Sequence, residues 1–237
     1  MYTIMMFAGH SGDDVYMTAA LAHKYVSRGH RVIYVGMTQG AGGHPTLPPE
    51  VYEKQKRAEA EEAGRRLGVE VIHYPNAHIR GEFTMEDTRR VGDLIRKHRP
   101  DCVLTHWDGQ GHRDHVATHY NVIYGVREAA EAGYVTDLEP YRVPELLFAE
   151  NNEDPLGFVP NVFVTVDEED IAAWEYACQS YQFFRDGFYN RDYLSYYKSN
   201  FRIRGEQAPR QVPYANALYR KNTAGTILSD SLPGCPL

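Results

Sequence analysis

The sequence predicts an α/β fold: a Rossmann-like, mostly parallel sheet with helices on both faces, followed by an irregular, tyrosine-rich C-terminal elaboration. Short apolar segments alternate four times with longer segments of helical periodicity, which is typical of a parallel sheet. The chain has 237 residues, enough for one large α/β domain. We therefore expect a single domain over 1–237, with a Rossmann-like half at 1–135 and the elaboration at 136–237.

Four strand–helix units are expected in the first half. The strands are assigned to short apolar or β-branched segments, at 2–8, 31–36, 69–74 and 102–105. The helices are assigned where apolar residues recur every three or four positions, at 15–28, 50–67, 84–98 and 113–132. Gly68 ends the second helix, and Thr84 with Asp87 resembles a capping box at the start of the third.

The second half is less regular. We expect strands at 146–149 and 162–166, and helices at 168–184 and 189–200. Twelve of the eighteen tyrosines lie at or after Tyr120. They are expected either to line a substrate site or to pack in the core.

Composition narrows the class of partner. Acidic residues outnumber basic ones, 32 against 25, and no basic block is present, so nucleic acid is not expected as a partner. Three scattered cysteines suit a reducing compartment. The first residues lack a positively charged segment and an apolar run of membrane-spanning length. We expect a cytoplasmic protein without a membrane span, acting on a small molecule and compatible with a homo-oligomer.

Two loops carry most of the potential metal ligands. All eleven histidines lie between His10 and His119. The segment GHSGDD at 9–14 follows the first strand, and GHRDH at 111–115 follows the fourth. An imidazole from each loop plus a carboxylate makes the ligand set of a catalytic zinc site. The alternative is a metal-free α/β domain in which these residues only cap the helices that they precede.

The order of motifs resembles the LmbE/PIG-L zinc N-deacetylases over about 1–130. The matching motifs are H-x-x-D after the first strand, T-A-x-L-A at 18–22, a T-x-G loop, A-x-x-x-L-G at 63–68 and G-H-x-D-H at 111–115. The resemblance implies an enzyme that removes acetyl groups from N-acetylglucosamine-type amides. It also implies that Zn²⁺ is bound by His10, Asp13 and His115, although Fe²⁺ also suits such ligands.

One position departs from the family. Its general base, the first Asp of H-P-D-D, falls on Gly12. A one-residue insertion would make Asp13 the base and Asp14 the ligand, but it would shift the T-A-x-L-A match. In the ungapped register we expect Asp14 to be the base, with Asp114 as the other carboxylate near the reacting water.

Further roles are expected around the metal. His112, held protonated by Asp114, would stabilise the oxyanion or protonate the departing amine. Arg80, Asn76 and His106 are the expected substrate-binding residues.

The sequence therefore predicts a zinc-dependent hydrolase of an amide C–N bond, which deacetylates an N-acetylated amino sugar or a metabolite containing one. Removing a general base typically costs about 10²–10⁴-fold in rate. The alternative function is accordingly a family member without a base, which binds metal and a glycosylated ligand without efficient catalysis.

Overall fold

The structure is a computed structural model, and it describes residues 1–74, 82–109, 111–151, 157–186, 190–221 and 225–237. The strands are β1 Thr3–His10, β2 Arg31–Thr38, β3 Glu70–His73, β4 Cys102–His106, β5 Glu145–Ala149, β6 Val162–Thr165, β7 Ala215–Tyr219 and β8 Ile227–Ser229. The helices are α1 Asp13–Val26, α2 Pro49–Leu67, α3 Met85–His98, α4 Arg113–Ala130, α5 Glu168–Cys178, α6 Gln182–Asp186 and α7 Tyr193–Gln207. A 3₁₀ turn, Ala41–Gly43, lies between β2 and α2.

The strands form one sheet in the order β3-β2-β1-β4-β5-β7-β6-β8. The five strands from β3 to β5 in this order are parallel, whereas β7 runs antiparallel to both β5 and β6. β8 is parallel to β6. The predicted α/β fold with a mostly parallel sheet is therefore confirmed, and the sheet continues from the first half of the chain into the second.

Strand β1 shows why the sheet is covered on both faces. Alternate side chains of a strand point to opposite faces. Ile4 and Met6 pack in a cluster with residues of α1 and α5, whereas Met5 and Phe7 pack with residues of α3 and α4. An uninterrupted apolar strand is typical of a parallel sheet between two helical layers.

The second half differs most from expectation. The predicted helix at 168–184 is two helices, because the chain turns after Cys178 and buries Tyr181 completely before α6 begins. The helix predicted at 189–200 begins at Tyr193 and extends to Gln207. Strands β7 and β8 were not predicted, since β7 has no β-branched residue and β8 has only three residues.

The strand ends place the two metal-ligand loops side by side. Strands β1 and β4 run to His10 and His106, beyond their predicted ends, and they are neighbours in the sheet. Ligands of open α/β sheets bind at the carboxyl ends of the strands. Both loops lie at that edge. Among the described residues, no helix has the length and apolar character needed to cross a membrane.

Candidate metal centre

Three side-chain atoms converge where the two loops meet. His10 Nδ1 lies 3.3 Å from Asp13 Oδ2 and 3.1 Å from His115 Nε2, and Asp13 Oδ2 lies 3.0 Å from His115 Nε2. The side chains of Asp13 and His115 are buried, whereas that of His10 keeps 18% of its surface. The structure thus brings together the three predicted ligands on one small triangle.

The triangle fits a metal ion. Tetrahedral zinc with bonds of about 2.0–2.1 Å holds its ligand atoms about 3.3 Å apart. The three edges of 3.0, 3.1 and 3.3 Å are close to that separation. Two imidazoles and one carboxylate, with one open side, are also the donor set of catalytic zinc.

Two further histidines lie close to the triangle but differ in geometry. His112 has a ring nitrogen within 4.8 Å of ring nitrogens of His10 and His115, and His106 has one within 4.8 Å of ligand atoms of Asp13 and His115. However, His106 Nε2 accepts a hydrogen bond from the Gly9 N–H at 2.9 Å. The His112 ring centroid lies 4.8 Å from that of His10, and its Nδ1 accepts from the Asp114 N–H. Among the described residues, we therefore take His10, Asp13 and His115, with ligand atoms 3.0–3.3 Å apart, as the candidate ligand set.

The turn from β1 into α1 sets the positions of His10 and Asp13. Asp13 is the first residue of α1, and its Oδ2 accepts the His10 N–H at 2.9 Å. Gly9 allows the His115 ring to pack against β1, because a Cβ at Gly9 would lie 2.6 Å from His115 Cδ2. The lack of a side chain at Gly9 therefore lets the His115 ring lie close to the backbone of β1.

Each ligand has a supporting contact. His10 Nε2 lies 3.0 Å from Asp114 Oδ2, the carboxylate–histidine arrangement that orients metal ligands. The Tyr16 hydroxyl donates to Asp13 Oδ1. His115 stacks on His106 with a centroid distance of 4.1 Å, and its Nδ1 lies 3.5 Å from the Asn151 amide.

Asp13 and His115 have the ionisation states that a metal ion requires, whereas His10 must lose a proton when the ion binds. Burial opposes charge on Asp13, but the imidazoles of His115 and His10 hold the pKa of Asp13 well below its usual range. Burial and neighbouring His106 lower the pKa of His115, which keeps that ring neutral. Burial also opposes charge on His10, yet the Asp13 and Asp114 carboxylates raise its pKa to about 9 in the metal-free cluster.

His112 and Asp114 are arranged differently from the expectation. The Asp114 carboxylate contacts His10, and its backbone N–H donates to His112 Nδ1. Burial, with the nearby His10 and His115, lowers the pKa of His112. His112 is therefore not held protonated by Asp114. With Nδ1 accepting a hydrogen bond, the neutral ring carries its proton on Nε2.

Asp14, the expected base, is not one of the three residues of the triangle. Its Oδ1 accepts from the N–H groups of Gly12 and Val15, at 3.0 and 2.8 Å. It is buried, and burial with the charge of Asp13 raises the pKa of its carboxyl to about 7. A base role for Asp14 thus stays a prediction. The insertion alternative, with Asp14 as ligand, does not match this placement.

The predicted substrate-binding residues divide into two groups. Arg80 and Asn76 lie outside the described residues. His106 is fully buried beneath His115 and accepts from Gly9. Because the His106 side chain has no exposed surface, it supports the predicted ligands and offers no contact to a substrate in this arrangement.

Sequence reasoning missed three residues around the site: Tyr16, Asn151 and Lys56. Tyr16 lies three positions after Asp13, so helical spacing was an available signal. Asn151 follows the carboxyl end of β5, where α/β sites are built. Lys56 lies in a charged helix that resembles a solvated face, yet it is only 4% exposed, and burial lowers its pKa to about 8.

Known proteins resemble this chain in sequence and in structure. A 1D-myo-inositol 2-acetamido-2-deoxy-alpha-D-glucopyranoside deacetylase of Saccharopolyspora erythraea is 28% identical over 209 residues, covering 71% of this chain and 75% of the relative. A conserved protein from Thermus thermophilus has a similar structure, with a TM-score of 0.79 at 21% identity, covering 96% of this chain and 98% of that one.

Two further solved structures share the fold but differ in their described activities. The N,N'-diacetylchitobiose deacetylase of Pyrococcus horikoshii matches with a TM-score of 0.76 at 20% identity, covering 92% of this chain and 82% of its own. The 4-carboxy-2-hydroxymuconate hydratase of Pseudomonas putida matches with a TM-score of 0.76 at 18% identity, covering 96% and 99%. The fold therefore does not by itself determine the reaction.

The family comparison covers the region that contains both metal-ligand loops. The model of the GlcNAc-PI de-N-acetylase family, PIG-L, matches residues 5–124. This span includes His10, Asp13, His112, Asp114 and His115. The chain belongs to the GlcNAc-PI de-N-acetylase (PIG-L) family.

Proposed function

We propose that this protein is a zinc-dependent hydrolase of an amide C–N bond that removes the acetyl group from an N-acetylated amino sugar or a metabolite containing one. The observation that carries the proposal is the convergence of His10 Nδ1, Asp13 Oδ2 and His115 Nε2 within 3.0–3.3 Å of one another. Family membership and the named relatives support the same reaction class.

The three converging residues would hold the ion. When bound, a divalent metal supplies a Lewis acid that polarises a carbonyl and activates water. Asp114 keeps His10 oriented through its Nε2, and the Tyr16 hydroxyl fixes the outer oxygen of Asp13. His10 has the most exposed side chain of the three, so we expect the acyl group to approach from its side.

In this proposal His112 contacts the acyl group. Its ring centroid lies 4.8 Å from that of His10 and 4.6 Å from that of His115. Because Nδ1 is used by the Asp114 N–H, Nε2–H is the donor available to an oxygen that gains negative charge. His112 thus acts as a neutral hydrogen-bond donor during attack on the carbonyl.

The test measures acetate released by the zinc-loaded protein from a panel of N-acetyl amino sugars and their conjugates. We expect release by the wild type and its loss in His115→Ala. His98→Ala is the matched control. His98 is the last residue of α3 and contacts Arg31 at the amino end of β2, away from the candidate site. This variant should keep wild-type activity. Stoichiometric zinc without acetate release from any member of the panel contradicts the proposal.

A second candidate function is the addition of water to a carbon–carbon double bond of an unsaturated carboxylic acid. Gly12 supports this second function. The family's carboxylate base is missing at this position, while His10, Asp13 and His115 still converge. The structural relative described as a hydratase shares the whole fold. Loss of ultraviolet absorbance from conjugated unsaturated dicarboxylic acids, without acetate release from amides, would favour hydration over deacetylation.

A further inference from the structure

Two buried tyrosines pack together beside the metal centre. Tyr16, on α1, is 9% exposed, and Tyr197, on α7, is 3% exposed. Their rings are stacked, with centroids 4.6 Å apart and planes inclined by 20°. Phe184 packs edge-on against the Tyr16 ring, with centroids 6.1 Å apart. The stack holds a helix of the tyrosine-rich second half against the helix that begins with a predicted metal ligand, Asp13.

The Asn151 side chain joins the hydroxyl groups of these two tyrosines. Its Nδ2 donates to the Tyr16 hydroxyl oxygen at 3.3 Å, and its Oδ1 accepts from the Tyr197 hydroxyl at 3.3 Å. Asn151 is 1% exposed and lies two residues after the end of β5. Its amide therefore bridges the polar ends of two stacked rings.

A chain of hydrogen bonds leads from α7 to the metal ligand. Tyr197 donates to Asn151, and Asn151 donates to Tyr16. The Tyr16 hydroxyl in turn donates to Asp13 Oδ1. Because all three bonds run in the same direction, they polarise one another, and each strengthens the next. The chain ends on an anionic carboxylate, which is a stronger acceptor than a neutral oxygen.

Packing alone does not account for these polar groups. Tyr16 and Tyr197 both belong to the largest hydrophobic cluster of the core. Phenylalanine would give the same ring stack, whereas a buried hydroxyl or amide costs free energy unless it is hydrogen-bonded. Two hydroxyls and an amide are instead arranged in an order that ends on Asp13. This order points to a role at the Asp13 carboxylate.

The two oxygens of the Asp13 carboxylate have different tasks. Oδ2 lies in the metal-binding triangle, 3.0 Å from His115 Nε2. Oδ1 is held by the Tyr16 hydroxyl, which keeps it from turning towards the same ion. A carboxylate that binds through one oxygen leaves the open position that water and substrate need at catalytic zinc. Loss of the chain would free Oδ1 and loosen the placement of Oδ2.

We propose that Tyr197 is a positioning residue for Asp13, which acts through Asn151 and Tyr16 and keeps Asp13 bound to the metal through one oxygen. This inference deepens the proposed function and rests on the same metal centre, but not on the reaction that the centre performs. It gives one tyrosine of the C-terminal elaboration a role at a site whose predicted ligands all lie in the first half of the chain.

A double-mutant cycle on zinc affinity tests the proposal without requiring turnover. Competition against a chromophoric chelator gives the dissociation constant of zinc for wild type, Tyr16→Phe, Tyr197→Phe and the double variant. Each substitution removes one hydroxyl and keeps the ring. We expect Tyr16→Phe to weaken zinc binding about 10- to 100-fold. Tyr197→Phe should weaken it by at least about twofold in wild type, as expected for one hydrogen bond, and by less than about 1.5-fold in Tyr16→Phe, where the chain is already broken.

Tyr25→Phe is the matched control. Tyr25 is also a buried tyrosine of α1, but it lies at the opposite end of the helix from Asp13, and its hydroxyl donates to the Cys235 carbonyl. This variant should bind zinc as wild type does. Visible absorption of the cobalt-loaded proteins reports the ligand number directly, because four-coordinate Co²⁺ absorbs more strongly than five-coordinate Co²⁺. The band should weaken in Tyr16→Phe, weaken less in Tyr197→Phe and stay unchanged in Tyr25→Phe.

Three results would overturn the proposal. They are a loss of less than about twofold for Tyr197→Phe in wild type, a loss of about 1.5-fold or more for the same change in Tyr16→Phe, and an unchanged zinc affinity or cobalt band in Tyr16→Phe. Failure of wild type to bind zinc would overturn both this inference and the proposed function. The expected coupling in a protein that releases no acetate would contradict deacetylation but not the positioning role.

Discussion

Gly9→Ala adds one methyl group beneath the metal centre. The new Cβ would lie 2.6 Å from His115 Cδ2, whereas ordinary contacts between such atoms begin at 3.4 Å. The ring must therefore move by about 0.8 Å, several times the roughly 0.2 Å tolerance of a metal–ligand distance. Because Cδ2 is bonded to Nε2, this movement also displaces Nε2, which is the predicted ligand atom. Disturbing the support of a ligand typically weakens metal affinity about 10- to 100-fold, and we expect a loss in that range.

The assay is competition for zinc against a chromophoric chelator. Gly111→Ala is the matched control, because it adds the same methyl group in the other ligand loop, where a Cβ would meet nothing within 4 Å. Gly111→Ala should bind zinc as wild type does. Thermal unfolding of the metal-free proteins checks that both variants fold. A folded Gly9→Ala protein with zinc affinity within twofold of wild type would refute the close packing of His115 on β1.

Three further predictions test the support of the site and of the fold. Asp114→Asn removes the carboxylate beside His10 Nε2 and should weaken zinc binding about 10- to 100-fold, measured by the same competition; unchanged affinity would contradict its orienting role. Arg96→Met should lower the free energy of unfolding in urea by more than about 3 kcal/mol, because the buried guanidinium donates to five backbone carbonyls in the last turn of α4 and in the segment after it. A loss below about 1 kcal/mol would contradict this. Asp167→Ala removes the capping box of α5 and should cost about 1 kcal/mol at pH 7. Hydrogen bonds from the Asp170 and Glu169 N–H groups lower the pKa of Asp167, so its contribution is full above its ordinary pKa of 3.8 and disappears as pH falls through the lower folded value; a stability difference from wild type that persists at pH 2 would argue against the cap.

The first half of the fold was predictable because local patterns and tertiary structure agree there. Strand β1 is apolar on both faces, and α3 begins with Thr84 accepting the Asp87 N–H, as its sequence indicates. In the second half, the turn after Cys178 depends on the burial of Tyr181 against residues distant in sequence. A period of apolar residues cannot show where such packing interrupts a helix.

The predicted metal ligands were also accessible to sequence reasoning, because each lies at or shortly after the carboxyl end of a parallel strand. The contacts that support these residues could not be predicted in the same way. The Asp114 carboxylate was assigned to His112, its near neighbour in sequence, but it lies against His10, 104 residues away. Lys56 looked like one charge among many on α2, and only the packing of that helix against α5 and α1 reveals its proximity to Gly12. Pairings of this kind depend on how helices dock, which composition and spacing do not encode.

The most direct test of the metal centre is an anomalous difference map at the zinc absorption edge, from crystals of the zinc-loaded protein. We expect one strong peak about 2.0–2.2 Å from His10 Nδ1, a carboxylate oxygen of Asp13 and His115 Nε2. No peak between these atoms, or a peak held by Asp14 in place of Asp13, would contradict the account.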